Sequence, residues 1–322
     1  MDAMFYEVFA EEKEALGRYL PKNLLAGFSS DTVQRDKRKV PPSKLISVRT
    51  QSIIPPLWAK NLSGVLARSS GFDHLLSFQR QAGRNTAYGY LPSYCERSVA
   101  EHAILMILAL ARKLKKQLKH FESFQRDDLT GVECFRRHVL VVGVGRIGSE
   151  IAHLAHRLGM HVKGVDLVKR LRTLDYVTLE RGIRSADIIV CALPLTRLTE
   201  GMLNYNLLRK AKKGTLFVNI SRGEISPIRD LKRLLDEGTL NGIGLDVFEE
   251  ESGLAQRLRT GSGVWTESEK EILPLIKDDR VLFTPHNAFN TKEALERKAK
   301  QSSEAIVTFL KQGSFPHPVP LK

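Results

Sequence analysis

Cysteine is scarce in this chain. There are three in 322 residues, Cys95, Cys134 and Cys191, and they lie far apart. An odd, dispersed set excludes a fully paired disulfide framework and matches no metal-ligand spacing. A reducing, cytoplasmic compartment and no bound metal are therefore expected. Long apolar runs are missing too. The longest, "AILMILALA" at Ala103 to Ala111, has nine residues, whereas a membrane span needs roughly 20. The opening "MDAMFYEVFAEEKEAL" puts acids where a secretory leader would need bases and an apolar stretch, so no leader is expected there. Internal repeats and low-complexity tracts are absent.

What is present is positive charge. The net charge is +14. A basic surplus attracts nucleic acid, anionic membranes or small anions. One dense run, "RKLKKQLKH" at Arg112 to His120, continues a helical pattern, and its charges are read as a solvated face. No zinc ligands or aromatic-basic RNA motif accompany the charge, so no nucleic-acid partner is expected. Steering of an anionic cofactor and substrate accounts for it without a further site.

The length and a hydrophobic content of 42% allow two domains with their own cores. "MFYEVF" reads as a strand and "AEEKEALGRYL" as a helix. "KLISV" and "LSGVLARS" read as strands. "SSDTVQRDKRKVPPS" reads as a loop, since Pro41-Pro42 rules out helix. A boundary falls near residues 93–98. There Ser98 and Glu101 form the pattern of a capping box, so a long helix is expected to begin at Ser98. Its apolar residues cover all faces, which predicts burial between domains or subunits. Beyond residue 137, "HVLVVG", "HVKGVD", "ADIIVCALPL", "GTLFVNIS", "GIGLDVF" and "RVLFTP" read as six strands separated mostly by helices. That is the pattern of a doubly wound parallel sheet. The helical stretch after residue 287 is free to return to the first domain.

"VVGVGRIGSE" carries Gly143, Gly145 and Gly148 between a strand and a helix, the context a dinucleotide fingerprint requires. Gly143 permits the tight turn, Gly145 a close approach of pyrophosphate to the backbone, and Gly148 close packing of helix on sheet. The helix N-terminus offers amides to the phosphates. Asp166, at the end of the second strand, is placed to bind both ribose hydroxyls and repel a 2′-phosphate, favouring NAD. Lys169 and Arg170 follow closely and weaken that preference.

The last three strands lead into Arg222, Glu251 and His286. In a parallel sheet the carboxyl ends share one edge, and the glycine turn lies on it. Each residue also has a plainer reading. Arg222 could pair with Glu224 at the surface. Glu251 closes an acid run, Glu249-Glu250-Glu251, and such runs are usually solvated. His286, in "VLFTPHNAF", could simply cap a strand.

In order along the chain, "RSSGFD", "SVAEHA", "GVGRIG", "LPLT", "VNISRG", "LDVFEEE" and "TPHNAF" resemble the D-isomer-specific 2-hydroxyacid dehydrogenase family over nearly the whole length. The resemblance implies an α/β architecture with a Rossmann NAD-binding domain, residues 97–286, inserted in a flavodoxin-like substrate domain, residues 1–96 plus 287–322. It implies an NAD-dependent oxidoreductase that passes hydride between NADH and a small 2-keto acid, and commonly a homodimer. Arg222 would grip the substrate carboxylate and polarise the ketone, because its planar fork matches that geometry. His286 would be the acid–base group, with Glu251 stabilising its imidazolium. Gly143, Gly145, Arg146, Ile147, Gly148, Asp166, Pro194, Asn219 and Asp246 form the implied cofactor set. Ser70, Gly71 and Tyr94 join Arg222 on the substrate side.

Ser252 stands where many members have proline, and a long polar segment at 252–272 follows. With Phe289 after "PHNA", this resembles the D-lactate dehydrogenase branch and points to a pyruvate/D-lactate-like pair. Two other readings stay open. One is an NADH-sensing, corepressor-like binding protein. The other is a glyoxylate or hydroxypyruvate reductase.

Overall fold

Alternating apolar and amphipathic segments close into two parallel sheets. The computed structural model describes residues 1–82, 86–261 and 263–320. The expected substrate domain runs on to 322 and the polar segment includes residue 262, and those positions lie outside the described residues. Two compact units divide the chain, Met1–Cys95 with Asn290–Lys322 and Glu96–Phe289. Among the described residues no helix is long and apolar enough to cross a membrane.

The first unit opens with β1 (Ala3–Phe5), α1 (Ala10–Tyr19), β2 (Ala26–Phe28), β3 (Leu45–Val48), β4 (Gly64–Ala67), α2 (Asp73–Ala82) and β5 (Ala87–Tyr90). The strands run parallel in the order β2-β1-β3-β4-β5. Every residue of β3 and β4 is buried, as a parallel sheet covered on both faces requires. Sequence patterning misses β2, because "AGF" is too short and glycine-containing to signal a strand. Its pairing with β1 makes it one. The expected loop before Pro41 holds one helical turn, Val33–Arg35, pinned by fully buried Val33.

The second unit contains α3 (Glu96–Ala111), α4 (Leu114–Phe121), β6 (His138–Val142), α5 (Arg146–Arg157), β7 (His161–Val165), β8 (Asp175–Tyr176), α6 (Leu179–Ser185) and β9 (Ile188–Cys191). It continues with α7 (Tyr205–Leu208), β10 (Thr215–Asn219), α8 (Ile228–Asp236), β11 (Leu240–Leu245), α9 (Glu251–Thr260), α10 (Glu267–Lys277) and β12 (Val281–Phe283). The order β12-β11-β10-β9-β6-β7-β8 is parallel throughout. The chain reverses direction across the sheet between β6 and β9, the switch point at which such sheets bind ligands. The two-residue strand β8 is a seventh, beyond the six expected.

Two expectations around α3 are corrected. The helix starts at Glu96, not at Ser98, so Ser98 lies inside its first turn. The Ser98 hydroxyl instead donates to the Phe289 carbonyl at 3.2 Å, and Glu101 pairs with Arg97. A tertiary contact has taken the side chain that the local pattern assigns to capping. Within the single chain the helix does not bury all of its apolar residues. It packs on α5, β10 and β11, while Leu105 and Leu108 remain exposed. Nor does it continue through the basic run, because Lys113 in the left-handed region (φ 51°) separates it from α4. That run is only partly a solvated face. Lys115 Nζ donates to the carbonyls of Ile276, Asp278 and Val281 at 2.8, 2.7 and 2.9 Å. It thereby ties the end of α10 to the start of β12.

The polar segment at 252–272 folds largely into α9 and the start of α10. A capping box does form here, with Thr266 and Glu269.

The last helix, α11 (Lys292–Gln312), returns to the first unit and packs on α1. It carries Lys298 into a buried charge cluster. Glu12 Oε1 lies 2.6 Å from Lys298 Nζ and 3.1 Å from Arg68 Nε. Arg68 also donates to Ser47 Oγ at 3.0 Å and to the Tyr6 carbonyl at 2.6 Å. Glu12, Arg68 and Lys298 are each 1% exposed, so the desolvation cost is large and only mutual pairing offsets it. Burial alone would push the Glu12 carboxyl up. Lys298, Arg68 and Arg49 instead hold it down to about 2. Burial pushes the Lys298 ammonium down to about 7, against the pull of Glu12.

The linkage sign follows for Lys298. Between its folded value of about 7 and the ordinary 10.5, the unfolded chain holds a proton that the folded one does not. Its contribution to stability therefore grows as pH rises through that window. The Glu12 contribution is complete above 4.5 and is lost as pH falls toward about 2. Thermal melts across neutral to alkaline pH test this. The Tm of the wild type relative to Lys298→Met should rise with pH above neutrality, and parallel curves would contradict it.

Candidate active site

The turn after β6 sorts the three glycines by what surrounds them. Gly143 has φ +95°, and a Cβ there would sit 2.6 Å from the Ala192 carbonyl oxygen. At Gly148 a Cβ would fall 1.9 Å from the Gly143 oxygen, so α5 can approach the turn only without one. Around Gly145 nothing lies within 4 Å of that position. Open space, a bare backbone and the first-turn amides of α5 together make a cradle that fits a pyrophosphate. Arg146 and Ile147 form the first turn of that helix. Asp166 follows β7, and its carboxylate accepts from the Val144 amide at 2.7 Å and the Val168 amide at 2.9 Å. The acid thus sits beside the glycine turn and braces it. Pro194, exposed after β9, has its carbonyl tied to the Thr199 hydroxyl at 2.6 Å.

Asn219 closes β10 and is fully buried. Its amide donates to the Arg222 carbonyl at 2.9 Å and to Ser226 Oγ at 2.8 Å. Its side-chain oxygen accepts from the Ser221 amide at 2.9 Å and the Ser221 hydroxyl at 3.0 Å. The side chain expected among the cofactor contacts is thus engaged by the loop that presents Arg222. Half-buried Arg222 donates through Nη1 to the Ser221 carbonyl at 2.7 Å. Gly223 brings this loop onto the next one, since a Cβ there would lie 2.0 Å from the Phe248 carbonyl carbon.

The acid run after β11 divides its work. Glu249 Oε2 accepts from the Ile228 amide at 2.9 Å, at the start of α8. Burial raises its carboxyl above the usual range, against that hydrogen bond. Glu250, left-handed at φ 54°, accepts from the Thr266 hydroxyl at 2.6 Å. Glu251 is the member that meets His286, with both carboxylate oxygens 3.0 Å from Nδ1. A carboxylate can only accept, so Nδ1 carries the hydrogen and Nε2 is the ring nitrogen turned away from Glu251.

His286 itself has φ +51°, a conformation uncommon for a non-glycine residue and held only by its surroundings. The holding group is Asp246, buried at the end of β11. Its carboxylate accepts from the Thr284 hydroxyl at 2.5 Å, the Asn287 amide at 2.8 Å and the Ala288 amide at 3.0 Å. Its backbone oxygen accepts from the His286 amide at 3.0 Å. Thr284 and the Asp246 clamp were not singled out from sequence, because a threonine beside a proline carries no signal of a partner 38 residues away.

The proposed substrate-side residues lie in the first unit. Ser70 and Gly71 follow β4. Ser69 Oγ donates to the Gly71 carbonyl at 2.6 Å, and Ser70 Oγ lies 3.5 Å from Cys95 Sγ. Tyr94 is buried, which pushes its phenol well above its usual range, and its carbonyl accepts from Arg297 Nε at 2.8 Å.

Replacing Asp166 with alanine should weaken NADH binding and narrow the preference for NADH over NADPH, because the expected ribose acceptor and the brace on Val144 would both be lost. Titration of both cofactors onto the variant checks this. An unchanged ratio would show that Asp166 does not read the ribose.

Comparison with known proteins agrees in one direction. Residues 104–288 match the family model described as D-isomer specific 2-hydroxyacid dehydrogenase, NAD binding domain. A D-lactate dehydrogenase of Streptococcus agalactiae is 28% identical over 271 residues, covering 82% of this chain and 81% of that protein. One from Staphylococcus epidermidis is 26% identical over 325 residues, covering 97% of each. The crystal structure of D-lactate dehydrogenase from Aquifex aeolicus, complexed with NAD and lactic acid, superposes with a TM-score of 0.84 at 30% identity, covering 98% of each chain.

Proposed function

This chain belongs to the D-isomer specific 2-hydroxyacid dehydrogenase family, and from that premise we propose that pyruvate and D-lactate are its substrate pair. It is an NAD-dependent enzyme that reduces a 2-keto acid to the D-2-hydroxy acid. The observation that carries the mechanism is the His286–Glu251 pair, held on the same sheet edge as the glycine turn. The choice of pyruvate is supported by the activity that the similar proteins are named for.

NADH, when bound, supplies the hydride. Side chains supply the rest. Arg222 presents two parallel donors to the carboxylate of the keto acid and fixes the ketone beside it. By the family resemblance Ser70, Gly71 and Tyr94 are further candidates for substrate contact. His286 as imidazolium donates its Nε2 proton to the ketone oxygen as that oxygen becomes a hydroxyl. Glu251 keeps the Nδ1 hydrogen in place and balances the imidazolium charge. In the reverse direction neutral His286 takes the hydroxyl proton at Nε2. Asp246 holds the histidine loop and meets the nicotinamide end.

The test is steady-state NADH oxidation against glyoxylate, pyruvate, hydroxypyruvate, oxaloacetate and phenylpyruvate, with NADPH in parallel. Pyruvate with NADH should give the highest kcat/KM. A different best acid would overturn the substrate assignment. Tight NADH binding with no turnover of any acid would favour a sensor.

The enzyme is proposed to work as a homodimer in a reducing cytoplasm. Its three cysteines are free and buried. Leu118, Phe121 and Phe124, on and just after α4, are 67%, 74% and 70% exposed, an apolar patch that a second copy would cover. Light scattering should give twice the chain mass of 36.2 kDa, and Phe121→Asp should shift the protein to monomer. A monomeric wild type would contradict this.

A further inference from the structure

The motif "SVAEHA" has no role in the mechanism above, yet it reaches the loop that carries His286. Ser98 and His102 are four residues apart, so they lie on one face of α3. Ser98 Oγ donates to the carbonyl of Phe289 at 3.2 Å. His102 Nε2 lies 3.0 Å from Thr284 Oγ1. The helix thus grips the loop on both sides of His286.

The direction of the second contact can be worked out. Thr284 has one hydroxyl hydrogen, and it lies on the 2.5 Å bond to Asp246 Oδ1. That carboxylate can only accept. The threonine oxygen is therefore left to accept from His102, and Nε2 of His102 must carry a hydrogen. The chain runs from His102 N–H to the Thr284 hydroxyl to the Asp246 carboxylate. The same carboxylate takes the amides of Asn287 and Ala288. These two residues come directly after the left-handed His286, so their amides fix the backbone that aims the imidazole. His102 Nε2 is itself 3.8 Å from Asp246 Oδ1, beyond hydrogen-bond reach, so its hold on the carboxylate runs through Thr284.

We propose that His102 is a positioning residue for the reaction, acting through Thr284 and Asp246 to hold His286 in its left-handed, Glu251-paired orientation. The proposal rests on the reading of His286 as the proton-transfer group. It gives a second histidine in the unit a task that neither touches substrate nor moves a proton to it. Without the His102 donor, the Thr284 hydroxyl is free to rotate off Asp246. The carboxylate then loses one of its three holds on the loop. A small loss of aim at a reacting group costs much more rate than binding.

The test compares His102→Ala, His102→Gln, Thr284→Val and Thr284→Ser by kcat, KM for the keto acid and Kd for NADH. His102→Ala should lower kcat by about ten- to a hundredfold with little change in NADH affinity. His102→Gln should recover most of the loss, because its amide nitrogen reaches the place of Nε2. Thr284→Val should match His102→Ala, Thr284→Ser should stay near wild type, and the double variant His102→Ala/Thr284→Val should be no worse than either single one. In a His286→Ala background, His102→Ala should cost nothing further. Wild-type kcat in His102→Ala, a glutamine variant as impaired as alanine, or multiplying effects would each overturn the proposal. If His102→Ala does not fold, Thr284→Val against Thr284→Ser decides it, since equal kcat in those two removes the hydroxyl from the chain. A His286→Ala variant with normal turnover would instead remove the premise.

Discussion

His286→Ala should lower kcat by roughly 10²–10⁴-fold, the usual worth of a positioned general acid, while NADH should still bind. The cofactor contacts expected in this unit come from the glycine turn, the start of α5, Asp166, Pro194, Asn219 and Asp246, and none of them is made by the imidazole. The alanine variant keeps the amide of residue 286, so the bond to the Asp246 carbonyl survives. The proton, however, must then come from water. Stopped-flow single turnovers with saturating NADH would separate chemistry from binding. Near-normal single-turnover rates would take His286 out of its role.

Arg222→Lys is the second large effect, and the substitution keeps the charge. Lysine offers a point charge in place of two parallel N–H groups, so the carboxylate loses its fixed orientation relative to the ketone. The arginine starts from an anchored position. Nη1 is bonded to the Ser221 carbonyl, and Asn219 holds the Arg222 carbonyl. A decline in kcat/KM of roughly 10²–10³-fold is expected, comparable to losing one oriented donor at a developing oxyanion. Both kcat and KM should move, because the group serves binding and orientation together. A rise in KM alone would mean that Arg222 only binds, and no change would place it outside the site.

Much of this site is legible along the chain because it depends on strand ends. The glycine spacing, the acid after β7 and the polar residues after β10, β11 and β12 can each be placed once the sheet is recognised as parallel. What is hidden depends on partners distant in sequence. Ser98 and Glu101 have the spacing of a capping box, yet Ser98 is taken by Phe289 and the helix starts two residues earlier. Three adjacent glutamates look alike until Ile228, Thr266 and His286 claim one each. Asn219 reads as a possible ligand contact, and only the loop around it shows that both of its amide hydrogens are engaged. Lys298 reads as one more charge on an amphipathic helix, but it is paired with Glu12 in the core. Strands β2 and β8 are too short for periodicity and exist through their pairing.

The most direct test of the central claim is chiral analysis of the product when the wild-type enzyme oxidises NADH with pyruvate. One D-lactate formed per NADH consumed is the predicted result. L-lactate, a racemate, or NADH binding without any lactate would contradict it.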